Sequence, residues 1–245
     1  MNMERKDNPA TWAVTPKNFL QSLEPATLDR LREMSCHRIL QKGETIFSRG
    51  SLGENVYVLT EGRAKIYEMS PLGREVILWF CLPGEIFGLA ELPSGGRRPV
   101  SANACTQVRL LVVSRKRFLA FLESHPKVAS LIIELLSCRM RMLGDWMLNM
   151  ATDDVSARLA KLLLRLRAQY GVPCSIRCGC ASQIDFELTH QEIADMIGTS
   201  RQTVSTLLNR LKRDGIIQLN RKIMHLIDIP SLDAVAAGIG QDALG

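Results

Sequence analysis

The sequence predicts an α+β chain. An N-terminal antiparallel β-roll leads into a long helix, and a C-terminal domain follows in which two short capped helices precede a two-stranded wing. Three observations predict this. Glycine recurs near every tenth residue from Gly43 to Gly84, with β-branched runs between, which is the pattern of a compact antiparallel roll. An apolar stripe at three- and four-residue steps then runs from Val128 to Met150, the period of an α-helix. Finally, Thr189-His190-Gln191-Glu192 and Thr199-Ser200-Arg201-Gln202 are two closely spaced helix starts.

Each element follows in order. Phe19, Leu20, Leu23, Leu28 and Leu31 give Asn18–Met34 an apolar helical face, and Pro25 splits it into two pieces. Ile39–Leu40, Thr45–Phe47, Val56–Leu59, Arg63–Tyr67, Val76–Phe80, Ile86–Leu89 and Val108–Val113 read as short strands. Ser114–Leu122 is a helix, and Pro126 opens the long one, Lys127–Met150. Its stripe is wide enough to pack on its own domain and on a second copy of the chain. Thr152–Asp153 is an expected N-cap for a helix reaching Tyr170, which Gly171-Val172-Pro173 ends. A cysteine-rich loop and a strand at Ile184–Leu188 are expected next. The wing is Gly215–Leu219 and Ile223–Ile227, turning at Asn220–Lys222. The domains are expected at 18–125, 126–150 and 151–237.

Composition bounds the function. A length of 245 residues suits one or two domains. With 46% apolar and 23% charged residues the chain is globular, which excludes disordered, collagen-like and fibrous classes. No apolar run approaches the roughly 18–20 residues of a membrane span, and Met1–Trp12 lacks an apolar core for a signal peptide. A cytoplasmic protein with no membrane partner is expected. The seven cysteines are an odd number, and in a reducing cytosol structural disulfides are not expected. Residues 199–225 carry Arg201, Arg210, Lys212, Arg213, Arg221 and Lys222 against Asp214 alone, a local charge of +5. Such concentration suits a phosphate backbone.

The two capped helices carry the function. Thr189 and Glu192 form a capping box, and the next helix starts about three residues after the first ends, the spacing of a helix-turn-helix. Ala194 is small where the helices cross, and Gly198 sits where the turn needs positive φ. Ile193, Ile197, Val204 and Leu207 face inward. That leaves Arg201, Gln202, Ser205, Thr206 and Asn209 as a hydrogen-bonding face for base edges and phosphates. Thr189, Ser200 and Arg210 complete the candidate DNA-binding set.

The stretch LTHQEIADMIGTSRQTVSTLLNRLKRDGII at Leu188–Ile217, with the roll and the long helix, resembles the Crp/Fnr superfamily of bacterial transcription regulators. The resemblance implies an effector-binding β-roll of the cyclic-nucleotide-binding kind, a dimerisation helix and a winged helix-turn-helix. It implies a homodimer on an inverted-repeat site in double-stranded DNA, with Arg201 reading guanine and RNA polymerase as a further partner. Gln202 departs from the Glu of many relatives and Thr206 from the Arg of some.

The resemblance also locates an effector pocket around Gly88, Leu89, Arg97 and Arg98. Leu89 replaces an expected ribose-binding Glu, and Pro99 removes an N–H near the expected phosphate. The stretch is Fnr-like, cyclic AMP is not expected there, and Arg97 and Arg98 read as a solvated loop pair. The N-terminal cysteine run of Fnr-type oxygen sensors is absent, and Leu111 stands at their roll cysteine. Cys174, Cys178 and Cys180 suit an iron–sulfur cluster or another metal such as zinc through soft thiolates, with Cys138 or Cys36, or His190 nearby in sequence, as a further ligand. A thiol switch and an incidental loop remain open, so the cofactor is unassigned. Cys81 and Cys105 read as core residues. His37 and His125 read as structural histidines rather than haem ligands. No nucleophile–base pair, P-loop or dinucleotide fingerprint points to an enzyme. Alternatives are a cyclic-nucleotide- or haem-responsive regulator, a sensor module that docks a protein rather than DNA, and a redox or metalloenzyme.

Overall fold

The computed structural model describes residues 18–173, 182–184, 186–220 and 223–238. The chain divides into two units, one ending at Ser137 and the other starting at Cys138.

In the first unit a 3-10 turn, Leu20–Ser22, precedes α1, Pro25–Glu33. Proline at the first helical position lacks only an N–H that has no intrahelical partner there, so the expected break at Pro25 falls between two pieces. The roll is built from β1 (Cys36–Leu40), β2 (Thr45–Phe47), β3 (Asn55–Glu61), β4 (Ala64–Met69), β5 (Glu75–Cys81), β6 (Ile86–Phe87), β7 (Ser101–Ala104) and β8 (Val108–Ser114). They form two four-stranded antiparallel sheets, ordered β1-β8-β3-β6 and β2-β7-β4-β5. Strand β7 is not anticipated by the sequence. Its Ser-Ala-Asn-Ala run lacks β-branched residues, yet it lies centrally between β2 and β4 and buries Ala102 and Ala104.

Helix α2, Arg115–Ser124, is capped by the Ser114 hydroxyl, and α3 runs from Pro126 to Thr152. Val128, Ile132 and Leu135 of α3 join Phe118, Phe121, Val56, Ile86 and Leu111 in one core of this unit.

In the second unit α4, Val155–Tyr170, is the central helix and buries Leu159, Leu163 and Leu166. Its N-cap is Asp154, whose carboxylate accepts from Ala157 N at 2.7 Å, rather than the expected Thr152–Asp153. The reason is that α3 continues further: Thr152 Oγ1 donates to Leu148 O and Asp153 N to Asn149 O. Asp153 instead forms an ion pair with Lys161 at 2.6 Å.

Strands β9 (Gly171–Val172) and β10 (Ser182–Ile184) come next. The second of these lies earlier than the expected Ile184–Leu188, because Glu187 and Leu188 lead into the cap of the following helix. Helices α5 (His190–Ile197) and α6 (Arg201–Arg213), strands β11 (Ile217–Asn220) and β12 (Ile223–Leu226), and α7 (Ile229–Ala236) complete the unit. The wing is thus half of a four-stranded antiparallel sheet, β11-β12-β10-β9.

Leu163 is fully buried in this unit. Leu163→Ala is expected to lower its stability by about 2–5 kcal/mol, read from the thermal transition of the C-terminal unit by calorimetry.

Candidate nucleic-acid interface

The geometry of α5 and α6 follows from their ends. Thr189 Oγ1 accepts from Glu192 N at 3.1 Å, and Thr189 N donates to Glu192 Oε2 at 2.8 Å, so the capping box is complete. The helix ends at Gly198 with φ +68°, a conformation that glycine adopts without the Cβ penalty. The N–H groups of Gly198 and Thr199 both bond Ala194 O. A further carbonyl at this end, Met196 O, accepts from Trp146 Nε1 of α3 at 2.9 Å. The end of α5 is therefore closed by the turn and by an indole together.

Helix α6 starts at Ser200, whose hydroxyl accepts from Thr203 N at 3.1 Å. Val204, Leu208 and Leu211 are buried; Leu207, expected inside, is half-buried. Arg201, Gln202, Thr206, Asn209 and Arg210 are exposed. Among the described residues none hydrogen-bonds the side chains of Arg201, Gln202 or Asn209. Thr206 Oγ1 donates back to Gln202 O at 3.2 Å. Arg210 lies 3.8 Å from Asp214, in a last turn where Lys212 and Arg213 also favour the helix dipole.

Thr189 and Ser200 thus serve first as caps. Ser205, expected to be free on this face, is half-buried and lies 2.7 Å from His190 Nδ1. That pairing joins residues fifteen apart across two helices, a relation no local periodicity signals. Arg221 and Lys222 lie outside the described residues, as do Cys174, Cys178 and Cys180. Cys138 is buried, and burial pushes its thiol up, away from the thiolate a metal requires. Among the described residues no cluster of metal ligands occurs. Cys36 is exposed, Cys81 is buried and Cys105 is intermediate. His37 is exposed on β1, and His125 Nδ1 lies 2.9 Å from Phe121 O.

The roll interior corrects one expectation. Arg98 is not solvated. Its side chain is 2% exposed and is paired with Glu91, which is 5% exposed. Its other terminal nitrogen donates to Asn55 O. The guanidinium lies over Phe47, 4.3 Å from the ring centre, and beside Tyr57 at 5.8 Å. Burial of a lone cation is expensive, so the chain supplies its own anion. Gly88 permits the approach: a Cβ there would meet Arg98 Nη1 at 3.0 Å. Leu89 is buried in the core, while Arg97 is exposed and bonds Gly50 O at 2.6 Å.

Residues 37–125 match the cyclic nucleotide-binding domain and residues 157–235 match the Crp-like helix-turn-helix domain. A global nitrogen regulator of Nostoc sp. is 31% identical over 184 residues, which is 74% of this chain and 81% of that protein. The chain belongs to the Crp/Fnr family. It is therefore a DNA-binding transcription regulator of the helix-turn-helix type. A CRP-like cAMP-activated global transcriptional regulator of Mycobacterium tuberculosis is 29% identical over 86% of this chain and 92% of its own. The fold is also that of FixK2 from Bradyrhizobium japonicum, with TM-score 0.72 at 24% identity, covering 82% of this chain and 96% of that one.

Removing one partner of a buried pair leaves the other charge unpaired, while removing both does not. Glu91→Gln is expected to cost the roll about 3–5 kcal/mol in urea denaturation. The double variant Glu91→Leu/Arg98→Met is expected to recover most of that loss.

Proposed function

We propose that the protein regulates transcription as a homodimer that reads an inverted repeat in duplex DNA, without a cyclic nucleotide. The observation that carries the DNA reading is the exposed α6 face, with the side chains of Arg201, Gln202 and Asn209 free of hydrogen-bond partners among the described residues. A polar helix face on a rigid, capped helix pair is the shape that enters a major groove. Arg201 supplies two donors for guanine O6 and N7. Ser205 lies within that face, half-buried, and Thr189, Ser200, Thr206 and Arg210 border it.

The second copy is argued from α3. Ile133, Leu136, Met140 and Met147 are exposed large apolar side chains. With half-buried Leu143 they fall at alternating steps of three and four, a seven-residue repeat that suits a helix–helix seam. Leu136, Leu143 and Met147 belong to the expected stripe; Ile133 and Met140 add to it. Two-fold symmetry would place the two α6 helices on half-sites about 34 Å apart. RNA polymerase is the partner that such a regulator addresses.

Cyclic AMP is left out on the chemistry of the roll. The guanidinium that could pair with a phosphate already holds Glu91 and the Asn55 carbonyl. Leu89 offers no polar group to a ribose, and Pro99 offers no N–H. The absence of a transmembrane-length apolar helix among the described residues is compatible with a cytoplasmic place for this work.

The test is a set of gel shifts on sequences selected from randomised duplexes. Arg201→Ala is expected to lose about 1–3 kcal/mol of base discrimination at one position; full discrimination in the variant removes the assignment. Met140→Glu is expected to shift the dimer to monomer in sedimentation and to weaken binding to the two-half-site duplex. Millimolar cyclic AMP is expected to leave both the melting temperature and DNA affinity unchanged.

A further inference from the structure

We propose that His190 is a specificity-determining positioning residue: it holds the Ser205 hydroxyl by its proton and so fixes which base edges that hydroxyl accepts. The inference rests on the reading that α6 faces bases.

His190 is the first residue of α5, and Ser205 is the fifth of α6. Their side chains meet at 2.7 Å. Ser205 stands one turn after Arg201 and one turn before Asn209, in the middle of the same face. A serine hydroxyl has one proton and two lone pairs. On a helix that proton commonly goes back to the carbonyl four residues earlier, and Thr206 does this with Gln202 O. The Ser205 hydroxyl instead has the imidazole Nδ1 at bonding distance. With its proton on Nδ1, Ser205 Oγ turns lone pairs toward the groove. Lone pairs accept from the amino groups of adenine N6 and cytosine N4. They repel thymine O4 and guanine O6, which are acceptors themselves. A neighbouring helix thus sets the polarity of a short side chain that alone could read either class.

The test is in-vitro site selection with the full-length chain. His190→Ala frees the proton, so the wild-type preference for adenine or cytosine over thymine or guanine at one base pair per half-site is expected to fall about three- to tenfold, the size of one hydrogen bond. Overall affinity should stay within about threefold, since no charged partner is lost. Ser205→Ala should flatten the same base pair, and the double variant should add nothing further. His190→Gln, whose amide oxygen can take the same proton, should keep the preference, and it carries the test if His190→Ala fails to fold. The proposal is overturned if His190→Ala weakens all duplexes equally with the selected sequence unchanged, as a backbone contact would, or if its effect persists in the Ser205→Ala background. Failure of the DNA reading itself is distinguishable, because the wild-type chain would then select no sequence at all.

Discussion

The turn at Gly198 is the constraint on which the DNA-facing part of the molecule depends. Helix α5 must stop, reverse direction and release α6 within about three residues. Positive φ at Gly198 makes the reversal, and buried Ala194 lets the two backbones approach. The sulfur of Met150 lies 3.3 Å from where a Cβ on Gly198 would sit. A side chain there would therefore meet both a backbone penalty and the end of α3. The carbonyls left open at the end of α5 are then closed from two sides, by the turn's own N–H groups and by the Trp146 indole. The aim of α6 is set by these few contacts rather than by its own exposed face.

The roll is governed by a different constraint, the cost of a buried charge. Arg98 sits against Phe47 and Tyr57, which pack with Phe87 at ring-centre distances of 5.4–6.2 Å. Aromatic faces attract a cation but do not replace its water. The carboxylate of Glu91 and a backbone carbonyl supply what the rings cannot. An external phosphate would compete with a carboxylate that is tethered to the chain and already desolvated. Tethering favours the internal partner, because no translational freedom is lost when it pairs.

Much of this was legible in the sequence, and the reasons differ by element. The Thr189 cap, the Gly198 turn and the inward residues of α5 are local rules, readable within a window of a few residues, while the second cap falls on Ser200, one residue after the Thr199 that repeats the capping-box pattern. The long helix was legible from its period, although its exposed seam was only partly separable from its buried side, because both are apolar. Strand β7 was hidden because Ala102 and Ala104 are small for packing rather than branched for strand propensity. The cap of α4 was misplaced by two residues because Thr152, Asp153 and Asp154 are all good caps, and only the length of α3 decides among them. The burial of Arg98 is not legible locally, because it depends on a pairing with Glu91 seven residues away across a turn. His190 and Ser205 escaped for the same reason: their contact belongs to the crossing of two helices.

Those crossings matter most where the reading side chains are short. Apart from Arg201 and Arg210, the α6 face carries Gln202, Ser205, Thr206 and Asn209, all neutral groups that can donate or accept. Thr206 has already given its proton to Gln202 O, which leaves its lone pairs for the groove. A hydroxyl becomes selective only when the protein decides where its proton goes. On the proposed reading Arg201 would read one base by its own geometry, whereas Ser205 and Thr206 would read by where their protons go. Sequence preference would then be a property of the packed helix pair as much as of the residues on its surface.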